Sequence, residues 1–223
     1  MNNVLIINKP KGITSHDVVN IVRRKVGVKK VGHAGTLDPL AEGVLIVLVG
    51  EATKKQSEFM GLEKEYVAEI ALGIRTDTYD VEGTVVEDAG ISGREIDDVK
   101  LKKVLDTFIG EIEQEVPPYS AVKIKGKALY KYAREKKLKN IKLPKRKVFI
   151  KDIEFLGSER KKVRVGSLSC YLTFSIRVVC SKGTYIRSLA NDIGNILGCG
   201  ATLLSLVRTR IGNYTLKCSM EIL

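Results

Sequence analysis

An α+β domain built on a mixed, mainly antiparallel sheet is what this chain predicts, and two kinds of pattern predict it. Several stretches alternate: Leu172, Phe174, Ile176, Val178 and Cys180 interleave with Thr173, Ser175 and Arg177, the period of a strand with one buried face. Between such stretches lie segments of helical period, as in Leu101, Val104, Leu105 and Phe108. Strands with interspersed helices of this kind pack as α+β layers. The 223 residues suffice for a sizeable core, in one large domain or two small ones. No linker, repeat or low-complexity tract divides them, so residues 1–223 are expected to form one domain.

In chain order, Val4–Ile7 reads as a short strand and Asn8–Gly12 as a turn rich in breakers. Ser15 is placed as the N-cap of a helix with Asp17 in its first turn and Val18, Ile21, Val22 and Val26 on its apolar face. Arg23, Arg24 and Lys25 near its end suit the helix dipole. Val44–Val49 is a buried strand, residues 51–62 a helix, and Lys64–Gly73 an alternating strand. Arg75–Gly83 is a polar connection. Asp97–Ile109 is an amphipathic helix, with Gly110 at its C′ position. Pro117 and Pro118 break a strand between Gln114 and Lys123. Residues 147–156 and 163–180 are strand material; Thr184 opens a helix whose buried stripe is Ile186, Leu189, Ala190, Ile193 and Leu197, with Arg187 outside it. Leu203–Gly212 is the last strand.

The stretch Val31–Gly43 stands apart. It holds His33, three glycines and the Asp38–Pro39 step in thirteen residues, directly before the buried strand. A glycine-rich loop on a rigid support is where catalytic side chains tend to sit, and a proline restricts the backbone of the residue before it. The same residues also make an ordinary turn. A cation at Arg187 lies near the positive end of its helix, against the dipole, and is best explained by a fixed carboxylate partner.

His33 through Gly43 resembles the signature of the bacterial tRNA pseudouridine synthases of the T-loop (TruB) family. Further motifs follow in register over nearly the whole chain: Lys9-Pro10-Lys11-Gly12, Lys64-Glu65-Tyr66, Arg75–Gly83, Pro117-Pro118-Tyr119-Ser120-Ala121-Val122-Lys123, and Cys180-Ser181-Lys182-Gly183-Thr184-Tyr185-Ile186-Arg187. The resemblance implies the pseudouridine-synthase fold, with an RNA-binding cleft running across the sheet. It implies that Asp38 is the essential catalytic residue, paired with Arg187, and that Tyr66 stacks on the target base and is the candidate base for the final proton removal. Lys9 supports the active-site loop, His33 fills the space left by a flipped base, and Asp80 bonds within the cleft. Tyr185 and Leu206 wall the base pocket, while Lys123 and Arg208 belong to the substrate- and RNA-binding set. The lysine-rich stretch of about 123–151 is expected to grip the tRNA arm. Family members usually continue into a small RNA-binding (PUA) domain, which this chain is expected to lack.

Composition agrees with a nucleic-acid partner. Thirty-eight lysines and arginines against 26 acidic residues give a net charge of +12, which favours polyanions through phosphate contacts. Two histidines and four cysteines without a CxxC pair offer no zinc spacing. Isomerising uridine to pseudouridine imports no bond energy, so no cofactor is expected. No apolar run approaches a membrane span and no signal peptide opens the chain, so a cytoplasmic protein away from membranes is expected. The leading reading is a stand-alone, monomeric isomerase acting on the T-loop uridine (position 55) of tRNA by base flipping, without guide RNA. Its rivals are the catalytic subunit of a guide-RNA pseudouridylation particle and a non-enzymatic RNA-folding module.

Overall fold

The computed structural model describes residues 3–89, 96–135, 137, 138 and 141–222. Their elements run β1 (Asn3–Lys9), α1 (Ser15–Val26), β2 (Val31–His33), β3 (Ala41–Val49), α2 (Gln56–Gly61), β4 (Lys64–Leu72), β5 (Ile74–Thr76), β6 (Val85–Asp88), α3 (Asp98–Asp106) and β7 (Gly110–Glu115). The short β8 (Lys123–Ile124), β9 (Lys127–Ala128) and α4 (Leu129–Arg134) follow. Then come β10 (Lys145–Val165), β11 (Ser167–Cys180), α5 (Ile186–Leu197), β12 (Ala201–Ile211), β13 (Tyr214–Thr215) and β14 (Met220–Glu221). The chain divides into two compact units. The first is Met1–Val67, Val178–Lys182 and Ser205–Leu223; the second is Ala68–Arg177 and Gly183–Leu204.

In the first unit, β3 is buried at every position except Glu42. Its near-continuous apolar run is what a strand covered on both faces requires. Leu45, Val47 and Val49 pack on Val18, Val19 and Val22 of α1. Val44, Ile46 and Leu48 pack on Ile6, Ala34 and Ile211, with Phe59 and Leu62 at the margin. β3 lies between antiparallel β1 and parallel β12, with β2 pairing it from Val31↔Val49 to His33↔Val47. At Gly43, where φ is +107°, a Cβ would lie 2.3 Å from the Arg208 carbonyl oxygen, so only glycine allows β12 this close.

In the second unit, β10 and β11 form a long hairpin turning at Gly166, with φ of +70°, and β7 pairs the base of β10 antiparallel from Lys145↔Glu115 to Ile150↔Gly110. Ala71, Ile74, Val165, Tyr171 and Leu204 make a core beneath the hairpin. α5 buries Ile186, Leu189, Ala190, Ile193 and Leu197, the expected stripe.

Several local readings change. The N-cap of α1 is Thr14, not Ser15: its hydroxyl accepts from the Asp17 amide at 3.1 Å, and the Asp17 carboxylate accepts from the Thr14 amide at 2.9 Å. Residues 50–55 form a 3-10 turn before the short α2, rather than one helix. α3 ends at Asp106, and Gly110, with φ of +106°, opens β7 instead of capping. β10 is one strand of 21 residues where two separate segments were expected. α5 begins after Tyr185 with no side-chain cap from Thr184. Arg187 is not outside the buried face; it is 4% exposed.

Candidate active site

The loop of residues 34–40 closes the β2–β3 hairpin, and its backbone is tied down nearly residue by residue. The Ala34 amide donates to Ile46 at 2.9 Å and the Gly12 amide to the Pro39 carbonyl at 2.8 Å. Ser15, buried at the start of α1, receives the Leu37 amide at 2.8 Å and returns its hydroxyl to the Leu37 carbonyl at 3.0 Å. Leu37 and Leu40 are buried, which pins the loop on either side of Asp38. Asp38 is half-buried, and its own carbonyl accepts from the Ala41 amide at 3.1 Å. A rigid backbone presenting one half-exposed carboxylate is the arrangement a positioned catalytic group needs.

Arg208 supplies the inner strut. It is 1% exposed, and its guanidinium donates from Nε to Val44 (2.8 Å), from Nη1 to Thr36 (3.3 Å) and from Nη2 to Gly35 (3.0 Å). Expected in the substrate- and RNA-binding set, Arg208 lies buried with its fork on three loop and strand carbonyls, a spread that a planar five-donor group spans. Lys9 is likewise fully buried, with Nζ donating to Pro10 at 2.9 Å and Ile13 at 2.8 Å, which makes it a support for the turn before α1.

Tyr66, on β4, is 8% exposed. Burial pushes its phenol above the ordinary value; the nearby Arg208 charge and hydrogen bond oppose this, while Cys180 and Asp38 reinforce it. Lys64, two residues earlier on the same strand face, is also buried, with Nζ donating to Met60 at 2.6 Å and Leu62 at 2.5 Å. Burial first, then the Arg208 charge, lowers it to about 8. Burial, aided by Arg208 and His16, also lowers His33, whose Nδ1 is buried with no hydrogen-bond partner among the described residues. Leu206, 6% exposed, pairs with Ala41 beside the loop.

The second unit holds a separate cluster. Arg187 Nη1 donates to the Thr78 carbonyl at 2.9 Å and lies 3.4 Å from the Asp80 carboxylate, while Nη2 donates to the Tyr119 carbonyl at 3.0 Å. The carboxylate beside Arg187 in this unit is that of Asp80, where the family resemblance implied Asp38. Asp80 is 4% exposed, also receives the Thr78 hydroxyl at 2.6 Å, and is tied to β12 through a parallel bridge with Leu203. Tyr79 beside it has φ of +65°, an uncommon conformation for a bulky residue. Gln114 reads both sides of the half-exposed Tyr185: its amide donates to the Tyr185 carbonyl at 3.0 Å and its oxygen receives the Tyr185 N–H at 2.7 Å. Lys123 is exposed on β8. Lys136 and Lys139 of the expected RNA-gripping stretch lie outside the described residues.

The bracing roles of Ser15, Lys64 and Gln114 escaped sequence reading. The signal for the latter two was present, since each falls on the inward phase of an alternating strand where a polar residue needs a partner. Ser15→Ala leaves the buried Leu37 amide without its acceptor. A loss of about 1–3 kcal/mol in unfolding free energy is expected, with kcat falling more than KM rises; denaturant melts and steady-state kinetics check both.

Residues 23–186 match the TruB family pseudouridylate synthase (N-terminal domain) model, and residues 187–223 match the tRNA pseudouridylate synthase B C-terminal domain model. The tRNA pseudouridine synthase B of Clostridium kluyveri is 46% identical over the whole of this chain, which spans 71% of that relative. The Carboxydothermus hydrogenoformans protein of the same name is 47% identical over 98% of the chain, spanning 73% of the relative. A chain in the structure of an H/ACA RNP bound to a substrate RNA containing 2′-deoxyuridine superposes with a TM-score of 0.68 at 28% identity; it matches 98% of this chain, which spans half of that one. The fold is that of the pseudouridine synthases, as expected.

Proposed function

The chain belongs to the TruB family of pseudouridylate synthases, and from that premise we propose that it isomerises the T-loop uridine of tRNA, position 55, to pseudouridine. The uridine flips out of its stack into the pocket, because the reacting atoms are unreachable within it. Asp38 attacks the sugar or the base, and the adduct splits one hard step in two. The N1–C1′ bond breaks, the base turns, C5 bonds to C1′, and the C5 proton departs while N1 gains one. Arg187, with its charge on a buried fork hydrogen-bonded to Thr78 and Tyr119, is proposed as a further residue needed for the reaction. Tyr66 is proposed to stack on the base. Its raised phenol favours the neutral form, so proton removal falls less naturally to it than the family pattern implies. A neutral His33 ring suits the vacated space, and Tyr185 and Leu206 are each proposed to contact the substrate. Lys123 is the proposed phosphate contact at the edge. The site is proposed to work in the cytoplasm, on tRNA alone.

The observation that carries this reading is the Asp38 loop, its backbone fixed by Ser15, Gly12 and Arg208 while the carboxylate itself stays half-buried. A pure binding module has no use for such rigidity at one carboxylate. The test is pseudouridine formation on an unmodified T-arm hairpin without guide RNA, metal or cofactor. Product establishes a stand-alone synthase. Binding without product, on the hairpin and on whole tRNA, would move the assignment to a guide-dependent subunit or a folding module.

A further inference from the structure

The outer part of strand β10 carries Arg160, Lys162 and Arg164, all exposed, on alternate residues. Same-face residues on a strand repeat at about 7 Å, so three long cationic side chains stand in a row. The intervening residues face the other way. Lys161 pairs with Glu69 and Glu159, Val163 packs against the core under the hairpin, and Val165 is buried in it. That packing fixes the orientation of the row. Tyr171 on the neighbouring strand donates to Asp88 at 2.9 Å, and a Cβ at the Gly166 turn would touch Val85 at 3.0 Å, so the hairpin end is anchored.

Elsewhere on this hairpin Lys145 pairs with Glu113, Lys147 with Glu111, and Arg177 with Asp152 and Glu154. Among the described residues, Arg160, Lys162 and Arg164 have no carboxylate within ion-pair distance. Exposed cations about 7 Å apart repel one another weakly in water, and an anion of matching repeat relieves that repulsion at each of them. The facing end of β11, Ser167 to Cys170, contributes no acidic residue.

We propose that Arg160, Lys162 and Arg164 form a rail for the phosphate backbone of RNA, each cation taking a separate phosphate. The contact reads no sequence; it adds affinity and sets the orientation of the bound strand. The proposal rests on the reading that this protein acts on RNA.

The test compares wild type, the triple variant Arg160→Ala/Lys162→Ala/Arg164→Ala, and a control, Lys30→Ala/Lys54→Ala, whose lysines both pair with Glu51. Affinity for unmodified tRNA is measured between about 50 and 200 mM salt. Loss of three phosphate contacts should lower the magnitude of the log K against log salt slope by about 2–3. The control should barely change it, and kcat at saturating tRNA should hold, because the rail touches no reacting atom. A triple variant with the wild-type slope overturns the rail and leaves the synthase reading intact; if it also loses retention on polyglutamate, the face serves an acidic protein instead. A wild type that neither binds nor modifies tRNA overturns the underlying reading.

Discussion

Asp38→Asn is expected to abolish pseudouridine formation while leaving the protein folded and able to bind RNA. Asparagine keeps the size and the backbone of the residue; the carbonyl that accepts from Ala41 is untouched, and so are the ties at Leu37 and Pro39. What is lost is a charged nucleophile, for which a neutral amide has no substitute. Removing such a group costs on the order of 10⁴-fold or more in kcat, since the remaining residues act only through it. Affinity for tRNA should stay within a few-fold, because one carboxylate adds nothing to phosphate binding. Single-turnover assays with a binding titration check both halves. A variant retaining about a tenth of wild-type turnover would remove Asp38 from the chemistry.

Arg208→Met is expected to lower the stability of the first unit markedly. Methionine fills much of the same space, but the carbonyls of Gly35, Thr36 and Val44 lose their donors together, that of Val44 in a buried position. Leaving one buried and two part-buried acceptors without their donor costs about 2–4 kcal/mol in sum, which for a chain of this size lowers Tm by roughly 4–16 °C. Arg208→Lys should recover little, since an ammonium is a point donor and cannot span the fork. Calorimetry on the three proteins decides it; a Tm within about 2 °C of wild type for the methionine variant would mean that the loop stands without its strut.

Much of this was legible from residues alone, for identifiable reasons. β3, β4, β11 and the stripe of α5 announce themselves because their period matches their burial. The Asp38 loop stood out through its glycines and the Asp-Pro step. Less legible was anything decided by distant partners. Arg208 reads as a surface cation in a final strand, yet its acceptors lie more than 160 residues earlier. Thr14 and Ser15 are both plausible caps; Asp17 selects Thr14, and the Leu37 backbone claims Ser15 for another task. Arg187 looked peripheral by periodicity because a helix wheel cannot show that Asp80, Thr78 and Tyr119 cover its outer side.

The strut at Arg208 also sets a timetable. Thr36 and Arg208 are 172 residues apart in the chain. At ribosomal rates of about 5–20 residues per second, roughly 10–30 s separate the synthesis of the loop from that of the side chain that holds it. Until then α1 and β3 can associate, since their contacts are local, but the loop between them has no inner support. The newborn chain thus carries its carboxylate early and becomes a working site late, when its last long strand has been made.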